Sequence, residues 1–281
     1  MDIFKKETTN MKQGCLIFIV AMLVGCSGAR QNIVNRSATE PIKKVALVAV
    51  SGNRVLVGGG GLLTSALSIA KGLIKKEEPN KEGFAMKSLV DYGRQTFTEV
   101  LINAGWEVIS SDTMTKHPSY QLFMLGKSNQ VTGLLSAMVA LQNNLDETID
   151  ASLNNIFPED LVQFQIKPDA YKKDLLELCK GLGVDAVAIL DLNLSYGGSL
   201  TVTVGGTGPA KGNVVATLNL LTKDGEWAFD VTSAASETSN ETIPMILGEI
   251  SLSNATNTLF KNTIDKTATW YKGQIKSGLG K

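Results

Sequence analysis

The sequence predicts an α/β protein with a mixed sheet, an antiparallel C-terminal meander, helices packed on the sheet and a long C-terminal helix. Three observations predict it. Lys43-Lys44 leads into Val45-Ala46-Leu47-Val48-Ala49-Val50, a continuous apolar run of the kind that forms a strand buried on both faces. From Asp185 to Tyr196, Leu190, Leu192, Leu194 and Tyr196 alternate with Ile189, Asp191, Asn193 and Ser195, so one face of a long strand is buried and the other grows wetter along its length. Leu259, Phe260, Ile264, Ala268, Tyr271 and Ile275 recur at helical spacing.

The 281 residues are 43% hydrophobic and 19% charged, an ordinary globular balance. Basic and acidic residues number 27 each, which excludes the strongly basic face that a nucleic-acid partner requires. The first 25 residues are different in kind. Lys12 precedes the apolar run Leu16-Ile17-Phe18-Ile19-Val20-Ala21-Met22-Leu23-Val24, and Gly25, Cys26, Ser27 and Gly28 follow it. A charged start, a short apolar middle and small residues at a cut mark a secretory signal, and the run is too short to span a bilayer, which takes roughly 20 apolar residues. Met11, directly before Lys12, offers an alternative start that leaves the mature chain unchanged.

The ending Leu23-Val24-Gly25-Cys26 resembles the lipobox of bacterial lipoproteins. The resemblance implies cleavage between Gly25 and Cys26, acylation of Cys26 and a membrane partner reached through lipid. Several acyl chains give stable anchoring where one does not. Ser27 stands where an Asp would retain the protein on the inner membrane, so the resemblance implies the periplasmic side of the outer membrane, or the outer face of the cell membrane in a Gram-positive cell. With Cys15 in the signal and Cys26 acylated, Cys179 is left as the single thiol, without a disulfide partner.

Ser27 to Pro41 is polar and aperiodic and reads as a flexible tether, about 50 Å long if extended and about 20 Å as a coil. A single domain is expected over 42–281. After the first strand, which Ser51-Gly52-Asn53 ends, comes a Gly-rich apolar insertion at 54–83. Val55 to Ala70 carries no charge. Its glycines lack the Gly-x4-Gly-Lys-Ser/Thr spacing that cradles phosphate, and no acidic residue follows them in a strand-helix-strand unit, so no nucleotide cofactor is expected. Two readings remain: a loop whose apolar half packs as a short helix, or a surface in which Val55, Leu56, Val57, Leu62, Leu63, Leu67 and Ile69 meet the bilayer or another subunit.

Ser88 to Ala104 reads as a helix with Ser88 and Asp91 in capping-box-like spacing, Leu89, Phe97, Val100, Leu101 and Ala104 on one face, and Gly93 permitting close approach. Trp106 to Ser110 follows as a strand. His117, the only histidine, precedes Pro118 in a polar loop. Leu134 to Phe157 reads as one or two helices, and another opens at Pro168-Asp169, turns Leu175, Leu178, Cys179 and Leu182 inward and stops at Gly183. Leu200 to Val204 and Val214 to Thr222 continue the sheet, and Asp224-Gly225 suits a two-residue hairpin connection before Trp227 to Val231. The last helical region runs from about Glu241 to Ser277, with Pro244 and Ser251 to Asn254 placing the start of its long helix near Asn254.

Lys44 to Val50 followed by Ser51-Gly52, and Gly183-Val184-Asp185-Ala186-Val187 leading into the long strand, are similar to the periplasmic α/β module of the curli-secretion channel lipoprotein, the lipoprotein activators of penicillin-binding proteins and the TolB N-terminal domain. The tether is shorter than the activators carry, and the insertion lacks the alternation of a membrane-spanning hairpin. The expected function is a non-catalytic binding or assembly module in the cell envelope, with an envelope protein as partner. No metal site is expected, since a lone His brings no converging ligands. One alternative is a homo-oligomeric secretion or envelope complex that uses 55–74 for subunit or membrane contact. Another is an envelope hydrolase with His117 and Asp191 as its candidates.

Overall fold

The chain enters the fold as a two-residue strand, β1 (Ile33–Val34), and one helical turn, α1 (Arg36–Thr39), then runs into β2 (Lys44–Asn53). A short β3 (Val57–Gly58) precedes α2 (Met86–Asn103), β4 (Glu107–Val108), α3 (Ser111–Thr115) and α4 (Pro118–Leu125). After β5 (Thr148–Asp150) come α5 (Lys172–Leu182), β6 (Ala186–Gly198), β7 (Gly208–Thr222) and β8 (Trp227–Thr232). The short strands β9 (Glu237–Thr238), β10 (Ile243–Ile246) and β11 (Glu249–Ile250) lead to α6 (Asn254–Leu279). This computed structural model describes residues 33–53, 56–58, 86–125, 148–150, 171–198, 207–233, 237–246 and 249–280.

The strands join one sheet whose main path runs β1-β8-β7-β6-β2-β4. Strand β2 is parallel to β4 and β6, whereas β6, β7, β8 and β1 pair antiparallel in succession. The fold is therefore the mixed α/β sheet with a C-terminal meander that the sequence predicts.

Helices α2 and α6 cover one face. Their Phe97, Leu101, Phe260, Ile264 and Tyr271 pack on Val45, Leu47 and Val50 of β2, on Leu190, Leu192 and Leu194 of β6, and on Val214, Ala216, Leu218 and Leu220 of β7. Gly93 of α2 permits this approach, because a Cβ there would run into Leu192. Buried Thr263 and Thr267 on α6 donate to the carbonyls of Leu259 and Thr263, at 2.7 and 2.9 Å, so their hydroxyls enter the apolar layer already satisfied. Helices α3, α4 and α5 cover part of the other face, over Ala46, Val48, Ala49, Val187, Ile189 and Leu221. A bulge between Leu47 and Ala49 turns Val48 and Ala49 to the same side, which resets the alternation of β2 for the residues that follow.

Several expectations are corrected. Ile33 to Thr39 is part of the fold and not of a tether. Strand β1 pairs with β8, Asn35 caps α1 by accepting from the Ala38 N–H, and the buried Thr39 hydroxyl lies within reach of the Ala228 carbonyl. Strand β2 runs on to Asn53, because Ser51 and Gly52 pair with β6 on one side and Ser51 to Asn53 pair with β5 on the other. Ser88 lies inside α2, so it is no N-cap, and Asp91 instead takes Lys87 one turn back at 2.8 Å.

Thr148 to Asp150, expected in a helix, is a strand along the open edge of β2. The hydrogen bonds of the β7–β8 hairpin, Gly225 N–H to Thr222 O and Thr222 N–H to Glu226 O, enclose three residues rather than two, with Gly225 in the left-handed region at φ 86°. Glu241 to Ile246 and Glu249 to Ser253 are not helical: β10 pairs with β7 and with β11, and Pro244 stands opposite Pro209 in register, where two residues without an N–H fit a non-hydrogen-bonded pair. The long helix does begin at Asn254.

Candidate functional site

Where no described helix covers it, the sheet's second face carries a row of polar residues in cross-strand register. Ser51 of β2 pairs with Asp191 of β6, Asp191 with Thr217 of β7, and Thr217 with Thr232 of β8. The bulge in β2 is what brings Ser51 onto this face. The Ser51 hydroxyl donates to Asp191 Oδ1 at 2.6 Å, and the Thr217 and Thr232 hydroxyls lie 3.0 Å apart. One step along, Asn219 Nδ2 donates to Asp230 Oδ1 at 2.7 Å, both residues being buried. Beyond Asp191 the same face of β6 continues as exposed Asn193 and half-buried Ser195, beside half-buried Asn213 and Val215 of β7.

This arrangement suits hydrogen bonding to a polar surface rather than covalent chemistry. A serine nucleophile has to reach substrate, and Ser51 is fully buried. Asp191 is half-buried and holds Ser51. His117, half-buried just before α4, accepts at Nδ1 from the Ser119 N–H at 3.3 Å and so braces its own turn. Cys179 is buried on α5, its thiol donates to the Val184 carbonyl at 3.2 Å, and burial pushes its pKa up to about 12, so it stays protonated and unreactive at neutral pH. Among the described residues no group of three His, Cys, Asp or Glu is placed to hold a metal ion, and no helix is long and apolar enough to cross a membrane.

Two other polar arrangements brace the frame. At the rim, Asp185 accepts from the backbone N–H groups of Lys43 and Lys44 at 3.1 Å and from Lys223 Nζ at 2.8 Å, tying the starts of β2 and β6 to the β7–β8 hairpin. The hydrogen bond from Lys223 is the main reason its carboxyl titrates below the usual range. Across α2 and α6, Tyr92 Oη lies 2.9 Å from both Asp265 oxygens, with Lys261 over its ring.

Of the residues singled out in sequence, Leu56 is half-buried against the core and Val57 lies in β3 beside Ser195. Gly25, Cys26, Val55, Leu62, Leu63, Leu67 and Ile69 lie outside the described residues. Sequence reading missed Ser51, Thr217, Asn219, Asp230 and Thr232. The signal for two of them was present, since Thr217 and Asn219 alternate with Ala216, Leu218 and Leu220 in the same way that Asp191 alternates with its neighbours. The fold and this polar face define an α/β protein with a hydrogen-bonding sheet surface. No family model, curated protein or solved structure matches the chain.

Proposed function

We propose that this chain is a bacterial envelope lipoprotein, anchored through acylated Cys26 and acting as a non-catalytic binding or assembly module close to its membrane. What supports the reading is the join between anchor and fold. Leu23-Val24-Gly25-Cys26 is followed by Ser27 to Asn32 alone before β1 begins at Ile33, a link of about 25 Å at full extension. Ser27 favours the periplasmic side of the outer membrane, or the outer face of the cell membrane in a Gram-positive cell. The polar row on the sheet offers an envelope protein partner hydroxyl, amide and carboxylate groups. Growth with radiolabelled palmitate tests the anchor: label on the wild-type band that disappears in Cys26→Ala supports it, and an unlabelled wild-type band overturns it.

A second reading, an oligomeric secretion or envelope complex, is favoured by one observation. β3 runs parallel to β6, setting Val57 and Gly58, which belong to the charge-free run 55–70 of the sequence, beside Ser195 and Tyr196. Light scattering on the detergent-extracted protein, with and without residues 55–74, separates the readings. A defined oligomer that falls to a monomer on deletion favours the complex, and a monomer in both cases removes it.

A further inference from the structure

We infer that β1, α1 and the Glu40-Pro41 link form a releasable strap that sets how far the folded module stands from its membrane, an inference that rests on the lipoprotein reading above. The strap is lightly held. Ala38 is its one side chain in the main apolar core, and Thr39 is its other buried residue. Ile33 and Val34 are 38% and 39% exposed although they lie in a strand. Among the described contacts, its remaining hold on the body is a two-residue ladder to β8, the Ala228 carbonyl that takes the Asn35 N–H at 3.0 Å and the Thr39 hydroxyl at 3.3 Å, and the contacts of Val34 with Gly278 and of Arg36 with Gly280 on α6. Its other hydrogen bonds are internal and survive release: Asn35 Oδ1 accepts from the Ala38 N–H, and the Thr39 and Glu40 N–H groups donate to the Asn35 and Arg36 carbonyls.

The chain changes character at Ile42, which is buried in the core and is followed by Lys43 and Lys44, whose N–H groups Asp185 holds. Glu40 and Pro41, just before it, are exposed, and Pro41 has no N–H to leave unpaired. A segment with so few buried apolar contacts opens at a free energy well below that of global unfolding. Load on Cys26 reaches Ile33 before any other described residue. With the strap docked, Ser27 to Asn32 give a link of about 25 Å at full extension; release adds residues 33–41 and takes the reach to about 50 Å.

Force spectroscopy tests this on the lipidated full chain held by its acyl chains in a supported bilayer and pulled through a handle on Ile102→p-azidophenylalanine, an exposed position on α2. The expected trace begins with an extension of about 30 Å, the contour length of residues 33–41, at no more than about half the force that unfolds the body. A disulfide between Val34→Cys and Gly278→Cys, positions whose side chains meet, is expected to remove that first step, and reduction to restore it. Ala38→Asp is expected to lower the force of the first step and leave the later one unchanged. A body that unfolds with no earlier step, or a first step that persists once the disulfide is formed, on protein that carries palmitate overturns the strap and leaves the lipoprotein reading standing. A chain that takes up no palmitate overturns both.

Discussion

The two faces of β6 are made from one stretch of chain and have opposite characters. Leu190, Leu192, Leu194 and Tyr196 stay buried under α2 and α6 along the strand, whereas the other face passes from buried Val187 and Ile189 to half-buried Asp191, exposed Asn193 and half-buried Ser195. The first face is constrained by packing at every second residue. Among the described residues the second is so constrained only where α5 covers it, and at Asp191 a side chain hydrogen-bonds across strands to Ser51 instead of filling space. Among the described residues, apolar packing is thus continuous on one side of β6 and gives way to polar side chains on the other.

The sharpest way to break this contrast is to truncate adjacent residues. Leu192→Ala opens a cavity against Phe97-side packing and is expected to cost about 2–5 kcal/mol in urea unfolding, whereas Asn193→Ala next to it should stay within about 0.5 kcal/mol. Equal losses would erase the distinction. Next in size, Asn219→Ala takes a donor from the buried Asp230 carboxylate and is expected to cost about 1–3 kcal/mol, showing that the polar face is structural where it is buried. An unchanged midpoint would mean that the pair contributes nothing.

The smallest effect concerns the rim. The Asp185 carboxyl is held low by Lys223 first and by the Lys43 and Lys44 N–H groups as well. A depressed folded pKa contributes stability that is present above the unfolded value near 3.9 and is lost as pH falls through the folded value. Asp185→Asn should therefore lower the melting temperature at neutral pH and flatten its decline below about pH 4. An unaltered acid limb would remove Asp185 from the cause.

Much of the frame was legible because long, regular segments announce themselves. The both-sides-buried β2, the half-wet β6, the inward face of α5 ending at Gly183, and α6 from Asn254 all follow from periodicity and caps. What was not legible is short or depends on a distant partner. Ile33-Val34 is too brief to show a period and acquires meaning only opposite Asp230 and Phe229. Thr148 to Asp150 fits a helical stripe until the edge of β2 claims it. The polar row required both the register of four strands and a bulge that moves Ser51 by one position, neither of which composition reveals. Asp191 was noticed, but as a hydrolase candidate alongside His117 with nothing to place the two together, whereas in the fold it accepts from Ser51.

The pairing of β1 with β8 also sets an order of events in time. Thr39 and its acceptor Ala228 are 189 positions apart, and β1 has no strand to join until β8 exists. The β6–β7–β8 meander can close locally, while this contact must enclose 189 of the 281 residues, a slow and entropically dear kind of closure. The first of the described strands to leave the ribosome therefore waits for one of the later ones. Until it does, Ile33 and Val34 stay unpaired and the outer edge of β8 stays open to strands from other chains.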